Sequence, residues 1–130
     1  MKNEVYNQEV PPGFEEDLKN IAVDFDGVIH GFDKGYHDGT CYGEPLPGAF
    51  LALRTLAQDY NVIVFSARAR EDRPLVEGQT GIQQIWDWLH KYKMNSYVYA
   101  VTATKPRARC YIDDKAIRFE NWDDVLKWLE

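Results

Sequence analysis

The chain has 130 residues, 45% of them hydrophobic and 28% charged, which is the balance of a single soluble globular domain long enough to bury a core. A formal net charge of -6 argues against general nucleic-acid affinity, because such binding rests on Lys and Arg neutralising phosphates. No apolar stretch approaches a membrane span, and the opening Met1-Lys2-Asn3-Glu4-Val5 lacks the apolar segment of a signal peptide, so a cytoplasmic location is expected. Cys41 and Cys110 are too isolated for a disulfide framework or a zinc site and are expected as free thiols.

In chain order, residues 1–19 are polar and broken by Pro11-Pro12-Gly13, which reads as an arm or short helical lead-in to a domain covering 20–130. A strand is predicted over about 20–25, ending in Asp24-Phe25-Asp26-Gly27. From Gly27 to Pro47 turn-forming residues dominate; residues 31–43, with glycines at 31, 35, 39 and 43 beside Tyr36, His37 and Tyr42, form the natural flap. Pro47 marks a helix start with Phe50, Leu53, Leu56 and Ala57 on its apolar face. The run Val62-Ile63-Val64-Phe65 is a second buried strand that ends at Ser66. A loop carrying Arg68, Arg70 and Arg73 then leads to a helix whose buried face reads Ile82, Ile85, Trp86 and Leu89. Strands are predicted near 97–101 and 109–112, with Lys105 between them and Asp113-Asp114 directly after the second. Asn121 is positioned to cap a last helix with Trp122, Val125, Leu126 and Leu129 inward. This alternation predicts an α/β fold with a doubly wound, Rossmann-like parallel sheet and helices on both faces.

Four polar stations thus follow strand-like runs or lie in the loop beyond one: Asp24 with Asp26, Ser66, Lys105, and Asp113 with Asp114. In an open parallel sheet such positions gather along the edge where strand carboxyl ends face a crevice. Their order resembles the haloacid dehalogenase superfamily, and the resemblance spans residues 20–119. It implies Asp24 as nucleophile, Asp26 as general acid and base, Ser66 as a phosphoryl-oxygen ligand and Lys105 as the charge-neutralising lysine. Asp113 and Asp114 would be the acidic pair on the metal side, with Asp113 the better direct ligand. An Asp at position 26 is similar to the phosphatase and phosphomutase branches, since the dehalogenases lack it.

Chemistry supplies a reason for each station beside the resemblance. Carboxylates at 24, 26, 113 and 114 crowded at one edge would raise one another's pKa unless a hard cation such as Mg2+ lay among them. Lys105 and the cation would ease attack on an anionic phosphate, while Ser66 and backbone amides from Asp24 to Gly27 would hold its oxygens. Attack by Asp24 would give an aspartyl phosphate, with Asp26 protonating the leaving oxygen and then activating water. Arg68 is expected either to clamp a second anionic group of the substrate or to belong to a solvated loop balanced by Glu71 and Asp72. His30 and His37 match no zinc pattern and read as structural or substrate-edge residues.

The gaps between motifs, each about 40 residues, leave no room for a folded cap domain of about 50 residues or more. A capless member is therefore expected, closed by the 31–43 flap or by a lid from a second copy in a homo-oligomer. The expected partner is a phosphorylated substrate, either a small molecule or a macromolecular phosphate end. Similarity to small phage- and bacteria-type members through Lys105-Pro106 and Tyr111-Ile112-Asp113-Asp114-Lys115 tilts it toward a nucleotide or polynucleotide end. Phosphosugars and phosphoproteins stay open, as does a non-catalytic binding or regulatory domain. A response-regulator receiver is disfavoured, because there the acidic pair comes first and the Lys last.

Overall fold

The computed structural model of the chain describes residues 11–130. The first ten residues of the expected arm lie outside the described residues, and the remainder of it ends in a 3-10 turn over Glu15–Lys19. Four strands follow: β1 (Asn20–Asp24), β2 (Asn61–Phe65), β3 (Ala100–Thr102) and β4 (Cys110–Ile112). Three helices accompany them: α1 (Ala49–Leu56), α2 (Gly81–Lys91) and α3 (Trp122–Trp128). The strands form one all-parallel sheet in the order β3-β2-β1-β4, an α/β fold of Rossmann-like arrangement.

The chain steps from β1 to β2 to β3 in one direction and then returns to the far side of β1. Right-handed crossovers taken in one direction put their helices on one face. The core reflects this: Ala49 and Leu53 of α1 and Ile85, Trp88 and Leu89 of α2 pack together with Ile21, Val23, Val62 and Val64. The alternate strand residues Ala22 and Ile63 face the other way and are also buried. That second face is crossed by the link 103–109, which ties β3 to β4 without a helix. Tyr111, level with Ala22, donates its hydroxyl to the Pro106 carbonyl at 2.7 Å and meets Phe65 edge-on at 6.2 Å. Asn20 closes the far end of this strap, donating from Nδ2 to the Arg107 carbonyl and accepting at its own carbonyl from the Arg109 amide.

Helices on both faces are therefore not what the described residues contain. Asn121 does cap α3, accepting from the Asp124 amide at 2.9 Å, but α3 buries no residue, and Trp122, Leu126 and Leu129 are exposed instead of inward. The strap occupies the second face where a helix was expected. Smaller differences have local causes. Pro47 lies before the first turn of α1, whose cap is Gly48 at φ +85°. Phe50 of the predicted α1 face is exposed and meets Tyr97 edge-on at 5.5 Å, while Ala49 is buried in its place. In α2, Trp88 is buried and Trp86 only half-buried, because the Trp88 indole donates to the Gly43 carbonyl at 2.8 Å and closes the core beneath the 31–43 segment. The predicted strand from 97 begins only at Ala100, since Asn95–Tyr97 forms a 3-10 turn.

The start of α2 is set by a close backbone contact. A Cβ built at Gly81 would stand 1.6 Å from the Arg68 carbonyl oxygen. Ala for Gly inside a helix ordinarily stabilises by about 0.5–1 kcal/mol, whereas forcing atoms into a packed site destabilises by about 1–3 kcal/mol. Gly81→Ala is accordingly predicted to lower the melting temperature, measured by calorimetry; a rise would show that the α2 to Arg68 packing is looser than described.

Candidate active site

Asp24 is the last residue of β1, and Asp113 and Asp114 directly follow β4. Because Val23 is paired with Ile112 in parallel register, the next residues on both strands emerge side by side at the carboxyl edge. This is also where the strand order reverses, the usual location of ligand crevices in open α/β sheets. One carboxylate oxygen from each of Asp24, Asp113 and Asp114 lies within 4.8 Å of the others. Gly27 makes the approach possible: its φ is +83°, and a Cβ there would sit 2.3 Å from Asp114 Oδ2.

Asp24 is pushed up to about 6, first by burial and then by the charges of Asp113, Asp114 and Asp26, while the Phe25 amide donating to its Oδ1 at 2.8 Å pulls the other way. Lys115 offers partial relief. Its amide donates to Asp113 Oδ1 at 2.7 Å and its ammonium lies 3.4 Å from Asp114 Oδ2, a role not read from its place in the sequence. The donor set is all carboxylate oxygen, the ligand type that a hard divalent cation takes.

Asp26, expected beside the cation, stands outside that cluster. Its carboxylate instead receives Arg68 Nε at 3.0 and 2.8 Å and His30 Nδ1 at 2.9 Å. His30 is fully buried, and the Gly43 amide donates to its Nε2 at 2.9 Å. Nε2 is therefore the acceptor, and Nδ1 carries the proton that goes to Asp26. Burial works to raise the Asp26 pKa, but the hydrogen bonds from His30 and Arg68 together with the Arg68 charge hold it below the ordinary carboxylate value.

Arg68 differs from both expectations. It is 6% exposed, and besides Asp26 it donates from Nη1 to the Gly39 carbonyl at 2.9 Å. Its guanidinium is thus committed inside the protein, where it neither overhangs the crevice nor belongs to a solvated loop. Arg70 is the solvated one, paired with Asp72. Ser66 follows β2, is buried, and accepts the Arg68 amide at 3.1 Å, which leaves its own hydroxyl proton to donate. Lys105 lies in the strap with its ammonium 4.3 Å from the centre of the Tyr111 ring, and among the described ion pairs it has none with a site carboxylate. The 31–43 segment is pinned rather than loose: Tyr42 donates to the Gly35 carbonyl at 2.8 Å and accepts the Lys34 amide, and Gly31 pairs with Glu44. Beside Asp114, a cavity of about 740 Å³ runs between the loop after β4 and α3, bordered by Lys115, Ile117, Lys127 and Trp128.

No family model matches the chain, and no curated protein or solved structure matches it either. Among the described residues, no helix is long and apolar enough to cross a membrane, and both cysteines are free thiols.

The raised Asp24 has a consequence for stability. A carboxyl whose pKa rises from 3.8 to about 6 on folding contributes stability that is fully present below 3.8 and is lost as pH rises through about 6. Asp24→Asn is predicted to raise the melting temperature of the metal-free chain at neutral pH and to change it little near pH 4. Thermal unfolding in chelator checks this, and a lower melting temperature at neutral pH would show that the charge at position 24 is compensated.

Proposed function

We propose that the chain is a Mg2+-dependent phosphomonoester hydrolase acting through an aspartyl phosphate, a capless member of the haloacid dehalogenase superfamily. The observation that carries this reading is the meeting of Asp24, Asp113 and Asp114 at the strand-order reversal, with Ser66 at the end of the neighbouring strand. A bound Mg2+, held by these three carboxylates, would neutralise charge on the cluster and on the phosphate.

Asp24 attacks phosphorus in line as the bond to the leaving oxygen breaks, and Asp26 in its protonated form gives that oxygen a proton. Ser66 Oγ–H and the Asp26 amide are the donors nearest in sequence and fold for the phosphoryl oxygens, the Phe25 amide being bonded to Asp24 Oδ1 and the Gly27 amide to the His30 carbonyl. Lys105 neutralises phosphate charge only if it leaves the Tyr111 ring. In the second half, Asp26 takes a proton from water as it attacks the acyl phosphate, regenerating Asp24 and releasing phosphate. The ionised state that Arg68 and His30 favour at Asp26 suits this second half directly. A nucleotide or polynucleotide end remains the preferred substrate class, with the cavity beside Asp114 and its exposed Trp128 as room for the leaving group.

A binding or regulatory domain without turnover is the second reading, favoured by the engagement of Asp26 with Arg68 and of Lys105 with Tyr111. Hydrolysis of an aryl phosphate separates the two. The hydrolase reading predicts activity that requires Mg2+, vanishes in excess chelator and is abolished in Asp24→Asn. Full activity in chelator, or an active Asp24→Asn, would contradict it, and a wild-type chain inert with Mg2+ on both aryl phosphates and phosphorylated oligonucleotides would favour the binding domain.

A further inference from the structure

The Asp26 carboxylate fastens two points of the 31–43 segment at once. Through Arg68 it reaches the Gly39 carbonyl, and through His30 it reaches the Gly43 amide. Both intermediaries are buried, and each spends opposite ends of its polar group on Asp26 and on the segment. The His30 ring cannot turn to other partners, being stacked on Phe25 at 5.0 Å with 3° between planes and edged by Trp88 and Tyr42. Arg68 is held as firmly: its amide is bonded to Ser66 Oγ, its carbonyl abuts Gly81, and its guanidinium lies over the Phe32 ring at 5.5 Å.

Arg68 is nonetheless a poor choice for stability alone. Its Nη2 is buried without a hydrogen-bond partner among the described residues, a penalty that an apolar side chain of similar size would not carry. What an apolar residue could not do is hold Asp26 and Gly39 together.

We propose that Arg68 and His30 are positioning residues that join Asp26 to the 31–43 segment, so that the seat of this segment and the orientation of the Asp26 carboxylate change together. A shift of the segment then moves the proton-transferring group, and a rotation of Asp26 toward a bound phosphoryl group must reseat Gly39 and Gly43. The joining rests on the contacts alone. Its consequence for proton transfer rests on the hydrolase reading.

Amide hydrogen exchange on the full chain, read by mass spectrometry, tests the joining. In Asp26→Asn, which keeps the side-chain volume but leaves one acceptor oxygen for two donors, the peptide covering 39–43 is expected to exchange about tenfold faster or more, while β2 and α2 peptides keep their wild-type rates. Wild-type exchange in 39–43 with the sheet intact overturns the proposal, as does uniform acceleration across the sheet. Arg68→Met is expected to give the same pattern at Gly39; should it fail to fold, Asp26→Asn decides.

A second readout separates positioning from mere support of the fold. In Arg68→Lys, turnover of an alkyl phosphate, whose leaving oxygen needs a proton, is expected to fall about 10²-fold. That of p-nitrophenyl phosphate should lose less than a tenth as much. Equal losses on both esters contradict the positioning role. If the wild-type chain hydrolyses neither ester, the hydrolase reading fails, and the exchange measurement alone still decides whether Asp26 seats the segment.

Discussion

Parallel pairing of β1 with β4 is the constraint on which the site depends. With Val23 level with Ile112, Asp24 and Asp113 must leave the sheet next to each other at its carboxyl edge. A slip of one residue would turn every side chain of the short β4 to the opposite face and carry the acidic pair with it. Register is held from both ends: Asn20 binds the chain on either side of Ala108, and Tyr111 locks onto Pro106. The strap 103–109 therefore does for β4 what a crossover helix would do, at the expense of leaving α3 without a surface to cover.

The two aspartates of Asp24-Phe25-Asp26 share a turn and differ in environment. Asp24 stands half-buried among like charges and is pushed up to about 6. Asp26 is held below its usual value by a guanidinium and an imidazole N–H that outweigh its burial. Environments that drive neighbouring carboxyls apart are the ordinary way in which one site assigns different tasks to identical groups. In the proposed reaction the nucleophile must be ionised; with a value of about 6 Asp24 is largely so at neutral pH, and positive charge brought to Asp113 and Asp114 would complete its ionisation. Asp26 is ionised without that help.

Much of this was legible in the chain. Runs such as Ile21-Ala22-Val23 and Val62-Ile63-Val64-Phe65 read as buried strands, and Asp24, Ser66 and Asp113 each come at or just after the end of a strand-like run, so their gathering at one edge of a parallel sheet could be expected. What failed to show was contact between residues distant in sequence. Nothing near Arg68 announces that its partner is Asp26, since a loop with Glu71 and Asp72 offers nearer acids. His30 gave no signal beyond its proximity to Asp26, four residues away. The exposure of α3 was hidden because its apolar spacing is that of a buried helix, and spacing says nothing of whether a surface is there to receive it. Trp88 and Trp86 were exchanged for a similar reason: both fit the helical period, and only the Gly43 carbonyl distinguishes them.

Covalent labelling of the nucleophile tests the central claim most directly. Wild-type chain mixed with an acyl phosphate donor and Mg2+, quenched rapidly in acid and mapped by mass spectrometry, should carry a single phosphoryl group on the peptide containing Asp24, and none in chelator. Phosphorylation of Asp26 or Asp113, or no adduct at all under conditions where Mg2+ binds the three carboxylates, would contradict the account.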